Sequence, residues 1–310
     1  MMERRSFPLG ILWILLIMMI NNQGKIIKIC GPTNNIKYIM ITYINGTFID
    51  STAAAIPVND LGLQRGYGVF DFLRVKGSQP LFLQQHIDRL YRSLAHMRLQ
   101  LSHSKEELIN IIQSLIDQNQ LPHSGIRITV TGGASPDGYT PVEPHLIIVQ
   151  QPIPEPPDTI LTSPYQLVTH QYRRQLPEVK TTDYLMAIWL QPWIKEQGAQ
   201  DVLYHSDGWV SECPRSNFFI ITQENMLITP NEGMLKGVTR ANILSVAREI
   251  MQVEERPVSL DDIRNAKEAF VSSSTKRIIP VTAVDQVDFG IYTDNSFSAR
   301  LFEALRLLEK

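Results

Sequence analysis

A lysine amine becomes a nucleophile when burial lowers its pKa, and it can then form a Schiff base with an aldehyde cofactor. Lys180 is placed for this chemistry: it closes a short extended run and precedes a predicted helix. Glu212 follows 32 residues later, at the end of a predicted strand, and enters a turn carrying Arg215, Ser216 and Asn217. An aromatic aldehyde that serves as an electron sink needs three further things: an acid beside its ring nitrogen, donors for its anionic group, and a group that orients its phenolic oxygen. Glu212 suits the first task. Gly237-Val238-Thr239 leads into a predicted helix whose free amides favour an anion, and Ser274 and Thr275 add hydroxyls. Tyr184 suits the third task, and Arg173 or Arg174 offers an alternative. Each residue also has a plainer reading: a surface lysine, an exposed strand-end carboxylate, an ordinary N-cap at Thr239, a polar turn at Ser274, a core tyrosine.

The elements that must position these groups alternate between strand and helix periodicity. ITYINGTFID, residues 41–50, predicts a hairpin, because Asn45-Gly46 tolerates the positive φ of a type I′ turn. Residues 58–68 predict a glycine-rich loop and residues 69–75 a strand. Leu83, Ile87, Leu90, Tyr91 and Leu94 share one helical face, with Arg89 on the same helix. Ser104 and Glu107 form a capping box that opens a second helix, and residues 125–131 alternate as a half-buried strand. Asp183 predicts an N-cap and Leu185, Ile188 and Trp189 a buried stripe; Pro192 should kink or shorten that helix and Gly198 can end it. Residues 278–284 predict a strand and Phe297, Leu301, Phe302, Leu305 and Leu308 a closing amphipathic helix. QPIPEPP, residues 151–157, holds four prolines in seven residues, so a domain boundary is expected there.

Taken together, RGYGVFDF, HIDRL, EVKTTDY, WVSECPRSNFF, LKGVTR and SSSTKRIIPV occur in an order and at a spacing that resemble the class IV aminotransferases. These are the fold-type IV enzymes that use pyridoxal 5′-phosphate (PLP), and they include D-amino-acid aminotransferases, branched-chain aminotransferases and aminodeoxychorismate lyases. The resemblance runs from about Ile41 to the C-terminus. It implies a mixed α/β fold of two α/β domains with the cofactor at their interface. The expected divisions are an extension at 1–39, a small domain at 40–150, a linker at 151–164 and a larger PLP-binding domain at 165–310. It further implies that Lys180 holds the cofactor and shuttles the substrate proton, that Glu212 pairs with the pyridine nitrogen, and that Arg89 in HIDRL contacts the phosphate. Ser216 and Asn217 would shape the turn beneath the ring. Cys213 reads as a packing residue.

Departures from the family pattern bear on the substrate. D-amino-acid aminotransferases carry an arginine and a histidine in the loop after the strand at 125–131, where this chain has TGGASPDGYTP. Branched-chain enzymes have a small residue in place of Arg215 and a tyrosine in place of Arg65. Arg65 and Arg215 are therefore expected to bind the substrate α-carboxylate or the distal carboxylate of 2-oxoglutarate, since a guanidinium matches a carboxylate bidentately. Phe70 is expected in the side-chain pocket or the strand core, and Arg127 on a solvated strand face, from which it could reach a dicarboxylate. In this family the loop containing Arg65 borders the partner subunit's site, which implies a homodimer. The expected activity is transfer of an amino group between an amino acid, leaning to D-amino acids, and a 2-oxo acid. Branched-chain L-amino-acid transamination and aminodeoxychorismate lysis are the alternatives.

Composition sets the outer bounds. The 310 residues, 44% hydrophobic and 19% charged, suffice for about two domains with a substantial core. A net charge of −2 gives no electrostatic footing for nucleic acid. Two cysteines form neither a disulfide framework nor a zinc spacing, and the histidines form no ligand cluster, so no metal is expected and a cytoplasmic location is. The run PLGILWILLIMMI, residues 8–20, is short for a membrane span, which takes about 20 residues. No small-x-small cleavage site follows it, and a true start at Met40 is expected over a targeting segment.

Overall fold

The computed structural model describes residues 18–20, 26–28, 40–160, 163–290 and 292–309. Most of the expected N-terminal extension, and with it the question of a start at Met40, lies outside the described residues. Residues 1–40 form a unit of their own, in which Met18–Ile20 pairs antiparallel with Ile26–Lys28. Residues 41–310 form the other unit.

In that second unit the first sheet is antiparallel throughout. Its order is Thr47–Asp50, Ile41–Ile44, Leu146–Pro152, His123–Thr131, Gly68–Lys76, Gln79–Pro80. Asn45 and Gly46 close its first hairpin at φ 45° and 93°, as a type I′ turn requires. Helices Leu83–His96 and Lys105–Asn119 share its hydrophobic core, built from Val69, Leu73, Ile126 and Ile128 of the sheet and Ile87, Leu90, Ile112 and Leu115 of the helices. The Ser104–Glu107 capping box is present, with reciprocal bonds of 3.1 and 2.7 Å.

Two further sheets follow the proline-rich segment. One is mixed, with order Val258–Ser259, Trp209–Val210, Asp201–Ser206, Gln166–Gln171, Ala283–Val284, Val287–Asp288. The other runs Val253–Glu255, Leu227–Thr229, Ser216–Ile221, Glu268–Ser273, Arg277–Val281, and Glu212–Cys213 pairs onto its central strand. SNFFII, residues 216–221, is buried at every position. That continuous burial follows from two covered faces. Phe218 and Ile220 meet the mixed sheet, while Phe219 and Ile221 meet helices Val238–Arg248 and Phe297–Leu308.

The segment carrying Lys180 is stitched to the first sheet. The Phe70 amide donates to the Lys180 carbonyl at 2.9 Å, Val69 bridges Thr181, and the Thr182 amide and hydroxyl bond the carbonyls of Gly68 and Gly66. Val179 is buried in the first sheet's core.

Three local expectations are corrected. The expected loop at 58–68 contains the short helix Leu61–Arg65, because Asp60 Oδ1 caps the Gly62 amide at 2.7 Å and Gly66, at φ 66°, ends the turn. The helix Leu185–Trp189 has Tyr184 rather than Asp183 at its N-cap; Asp183 instead accepts the Leu185 amide at 3.1 Å. Its expected buried stripe is outside: Leu185, Ile188 and Trp189 are 76%, 69% and 69% exposed. The apolar periodicity is real, but nothing described in this chain covers it. Pro192 does break the helix, which restarts as Gln191–Glu196, and Gly198 follows at φ 72°.

Candidate active site

A cavity of about 620 Å³ opens among the first sheet, the turn after Glu212 and the start of helix Val238–Arg248. Lys180, Tyr184, Glu212, Ser216 and Asn217 line it, as do Gly237, Val238, Thr239, Ser274, Thr275 and Arg89. Residues distant in the chain thus meet around one space. Phe70 and Arg215 line it too. Arg65 does not: it is exposed, and its Nε donates to the Gly138 carbonyl at 3.1 Å.

Lys180 points its amine at the face of Phe70, 4.5 Å from the ring centroid. Burial, reinforced by the nearby Arg89 cation, pulls its pKa down from 10.5 to about 7, against the opposing charges of Asp71 and Glu212. A large fraction of the amine is therefore unprotonated near neutrality, as a nucleophilic lysine requires.

Glu212 is buried at the strand end and both its oxygens are held. Oε1 accepts from Arg174 Nε at 2.8 Å and Nη2 at 2.7 Å, and Oε2 accepts the Leu235 amide at 3.0 Å. Burial pushes its pKa up while Arg174 and the amide pull it down. Arg174 also donates to the Val179 carbonyl at 3.0 Å and to that of Pro177. One guanidinium thus ties the acid to the residue preceding the nucleophile.

Arg89 is buried by a network that no sequence pattern assembles. Asp71 accepts Arg89 Nε at 2.9 Å and Nη2 at 2.8 Å, and lies 2.6 Å from His86 Nδ1. Burial raises the Asp71 pKa, but Arg89 and His86 together hold it well below the carboxylate range. The signals for it in the chain are an acidic residue inside the apolar run VFDFL and a histidine one helical turn before Arg89.

The far side of the cavity is built for an anion. Helix Val238–Arg248 starts at Gly237 with no side-chain cap, so its first amides remain available. A Cβ at Gly237 would lie 2.2 Å from Asn217 Oδ1, and Asn217 Nδ2 bonds the Leu235 carbonyl at 2.7 Å. Ser272 Oγ, buried in the cavity wall, has no hydrogen-bond partner among the described residues. An orphaned hydroxyl, free helix amides, two more hydroxyls and an oriented arginine make a donor set that fits a phosphate dianion. An amine and a buried carboxylate complete what an aldehyde cofactor needs.

Comparison with known proteins agrees with this geometry. The family model described as Amino-transferase class IV matches residues 68–284. A D-alanine aminotransferase from Bacillus licheniformis is 28% identical over 256 residues, covering 81% of this chain and 90% of its own. A putative branched-chain-amino-acid aminotransferase from Methanocaldococcus jannaschii is 31% identical over 258 residues, covering 79% and 88%. Among solved structures, Escherichia coli branched-chain amino acid aminotransferase superposes with a TM-score of 0.80 at 24% identity, covering 88% of this chain and 95% of that one. A putative 4-amino-4-deoxychorismate lyase from Legionella pneumophila gives 0.75 at 26% identity, covering 84% and 97%. The chain belongs to the class IV aminotransferases and has their fold-type IV architecture. It is an aminotransferase of the PLP-dependent kind.

Two further features bear on the substrate side. Arg127 is exposed on its strand, as expected, and its guanidinium also lines the cavity 4.5 Å over the Phe70 ring. Cys213 is fully buried in the core between the two later sheets, which matches a packing role. No group of three or more metal-ligating side chains occurs among the described residues. No helix among them is long and apolar enough to cross a membrane.

Proposed function

We propose that the enzyme transfers the amino group of an amino acid, D-alanine or an acidic D-amino acid foremost, to 2-oxoglutarate. The observation that carries this reading is the presence of Arg127 and Arg215 on the same cavity as Lys180 and Glu212. Two guanidiniums suit a substrate with two carboxylates, or an α-carboxylate alone, better than a wholly apolar side chain. PLP, when bound, supplies the electron sink. Lys180 would hold it and, once freed, carry a proton between the substrate α-carbon and the cofactor. Glu212, kept in place by Arg174, would hold the ring nitrogen protonated. Tyr184, whose hydroxyl feels the charges of Arg174, Arg127 and Arg215 and stays protonated chiefly through burial, would orient the phenolic oxygen. Arg89, Val238, Thr239, Ser274 and Thr275 would hold the phosphate, with Ser216 and Asn217 shaping the turn beneath.

The assignment extends to assembly and architecture. The exposed apolar face Leu185–Ile188–Trp189 supports a homodimer, in which Arg65 would serve the partner's cavity. A boundary within 151–164 would separate a small domain from the PLP-binding domain, and a cytoplasmic location belongs to the same reading.

A branched-chain L-amino-acid reading is favoured by one observation: Phe70, Met186 and Ile188 give the cavity an apolar flank. A donor screen with both enantiomers of alanine, glutamate and leucine, and 2-oxoglutarate as acceptor, separates the two. Turnover of L-leucine alone overturns the first reading. Pyruvate release from aminodeoxychorismate without an acceptor would assign the lyase instead.

A further inference from the structure

The turn that carries Ser274 and Thr275 is held by its own last residue. It joins strands Glu268–Ser273 and Arg277–Val281, and its loop hydroxyls are only partly covered. Lys276 folds back beneath it. Its ammonium donates to the Tyr165 hydroxyl at 2.7 Å, to Asp201 Oδ2 at 3.4 Å and to Ser216 Oγ at 3.5 Å. An ammonium has three donors, and each here has an acceptor. Tyr165 in turn donates to Asp201 Oδ2 at 3.1 Å. Burial first, then the Asp201 charge, pushes the Tyr165 hydroxyl up, so it keeps the proton it donates.

The three acceptors come from different places. Tyr165 precedes a strand of the mixed sheet, Asp201 begins the neighbouring strand, and Ser216 begins the central strand of the third sheet. Asp201 and Ser216 both line the cavity, as do Ser274 and Thr275. The Asp201–Lys276 pair is largely buried, with side-chain exposures of 5% and 19%. A pair so placed orders its surroundings, because losing one member strands the other away from water.

We propose that Lys276 is a positioning residue, which clamps the Ser273–Lys276 turn to Asp201, Tyr165 and Ser216 so that the turn's hydroxyls stand ready for the phosphate of the cofactor. This rests on the PLP reading of the cavity. Lys276 does not touch the reacting atoms; it acts through Ser274 and Thr275. A clamp on the phosphate turn alters affinity for a phosphorylated aldehyde and leaves affinity for its dephosphorylated form alone.

The test titrates the full chain, freed of bound aldehyde, with PLP and separately with pyridoxal, following absorbance and trapping the bound aldehyde with borohydride. Wild type, Lys276→Met and Tyr165→Phe are compared. Lys276→Met is expected to weaken PLP about tenfold, the scale of removing one charge-assisted hydrogen bond, while pyridoxal stays within about twofold. Tyr165→Phe, a milder change, is expected to shift PLP in the same direction by less. Equal losses for both aldehydes, or no loss for either, overturn the clamp. A wild type with no preference for PLP over pyridoxal overturns the cofactor reading on which it rests, and does so before either variant is consulted.

Discussion

Arg174 grips Glu212 through two nitrogens, Nε at 2.8 Å and Nη2 at 2.7 Å, and reaches the carbonyl of Val179 at 3.0 Å with a third. The acid at one end of the cavity and the residue before the nucleophile therefore share one guanidinium. Arg174→Ala leaves Glu212 buried with a single amide donor. The expected cost is about 2 kcal/mol of stability, since a buried carboxylate loses its charged partner. Glu212 should then bind a proton more readily, and turnover should fall further than KM changes. Chemical denaturation and steady-state kinetics check the two effects, and unchanged turnover would show that Glu212 needs no such partner.

Lys180 should react as an amine with a pKa near 7. Its borohydride-trapped adduct with PLP, followed by peptide mass spectrometry, should rise as pH rises through about 7 and level off above about 8, whereas ordinary lysines keep gaining reactivity to about 10. The linkage has a definite sign. The folded chain releases this proton near 7 and the unfolded chain near 10.5, so between those values the unfolded state binds more protons and stability rises with pH. Lys180→Met removes the penalty of burying the charge, so its gain in melting temperature should be larger at pH 6.5 than at pH 10.

The cavity arginines should separate from Arg65. Arg215→Ala and Arg127→Ala are each expected to raise KM for 2-oxoglutarate about tenfold or more, the scale of removing a guanidinium–carboxylate pair. If the proposed homodimer forms, Arg65→Ala should raise KM as well, although Arg65 lies outside this chain's own cavity. Arg65→Ala kinetics indistinguishable from wild type would remove it from the substrate site.

Gly237 is needed for space. Alanine there would set a Cβ 2.2 Å from Asn217 Oδ1, and Asn217 could move aside only by giving up its 2.7 Å bond to the Leu235 carbonyl. Gly237→Ala should cost about 1–3 kcal/mol through overpacking. It should also displace the first amides of the helix and weaken PLP binding. Asn217→Gly in the same chain should relieve the clash and restore part of the stability.

The apolar face beside the cavity mouth should be an interface. Trp189→Glu places a charge on a surface that is 69% exposed in the single chain. Sedimentation should show the dimer weakened, with the monomer's melting temperature little changed. A dimer of undiminished affinity would put the interface elsewhere.

Some of these relationships could be read in the chain and some could not. Local chemistry was legible: Asn45-Gly46 turned as expected, Ser104 and Glu107 capped their helix, and Pro192 broke its own. The residues expected around an aldehyde cofactor do converge on one cavity. Partners across long separations were not legible. Nothing local joins Arg174 to Glu212, or Asp71 to Arg89, because the first pairing depends on which loop lies over which strand and the second on which helix faces which strand. The stripe Leu185–Ile188–Trp189 failed for another reason. Periodicity reports that a helix has an apolar face, not whether the cover belongs to the same chain. Arg127 stands exposed on its strand as alternation predicts, but alternation does not say that a cavity opens on that face.

Because residues 179–182 are sewn to the strand Gly68–Lys76 by backbone hydrogen bonds and by Val179 in its core, the amine travels with that sheet. Its acid lies on Glu212–Cys213, which pairs onto the central strand of the third sheet. Drawing that sheet away from Glu212 would leave those seams whole and break the grip of Arg174 on the acid, so the span from amine to acid is set by one guanidinium.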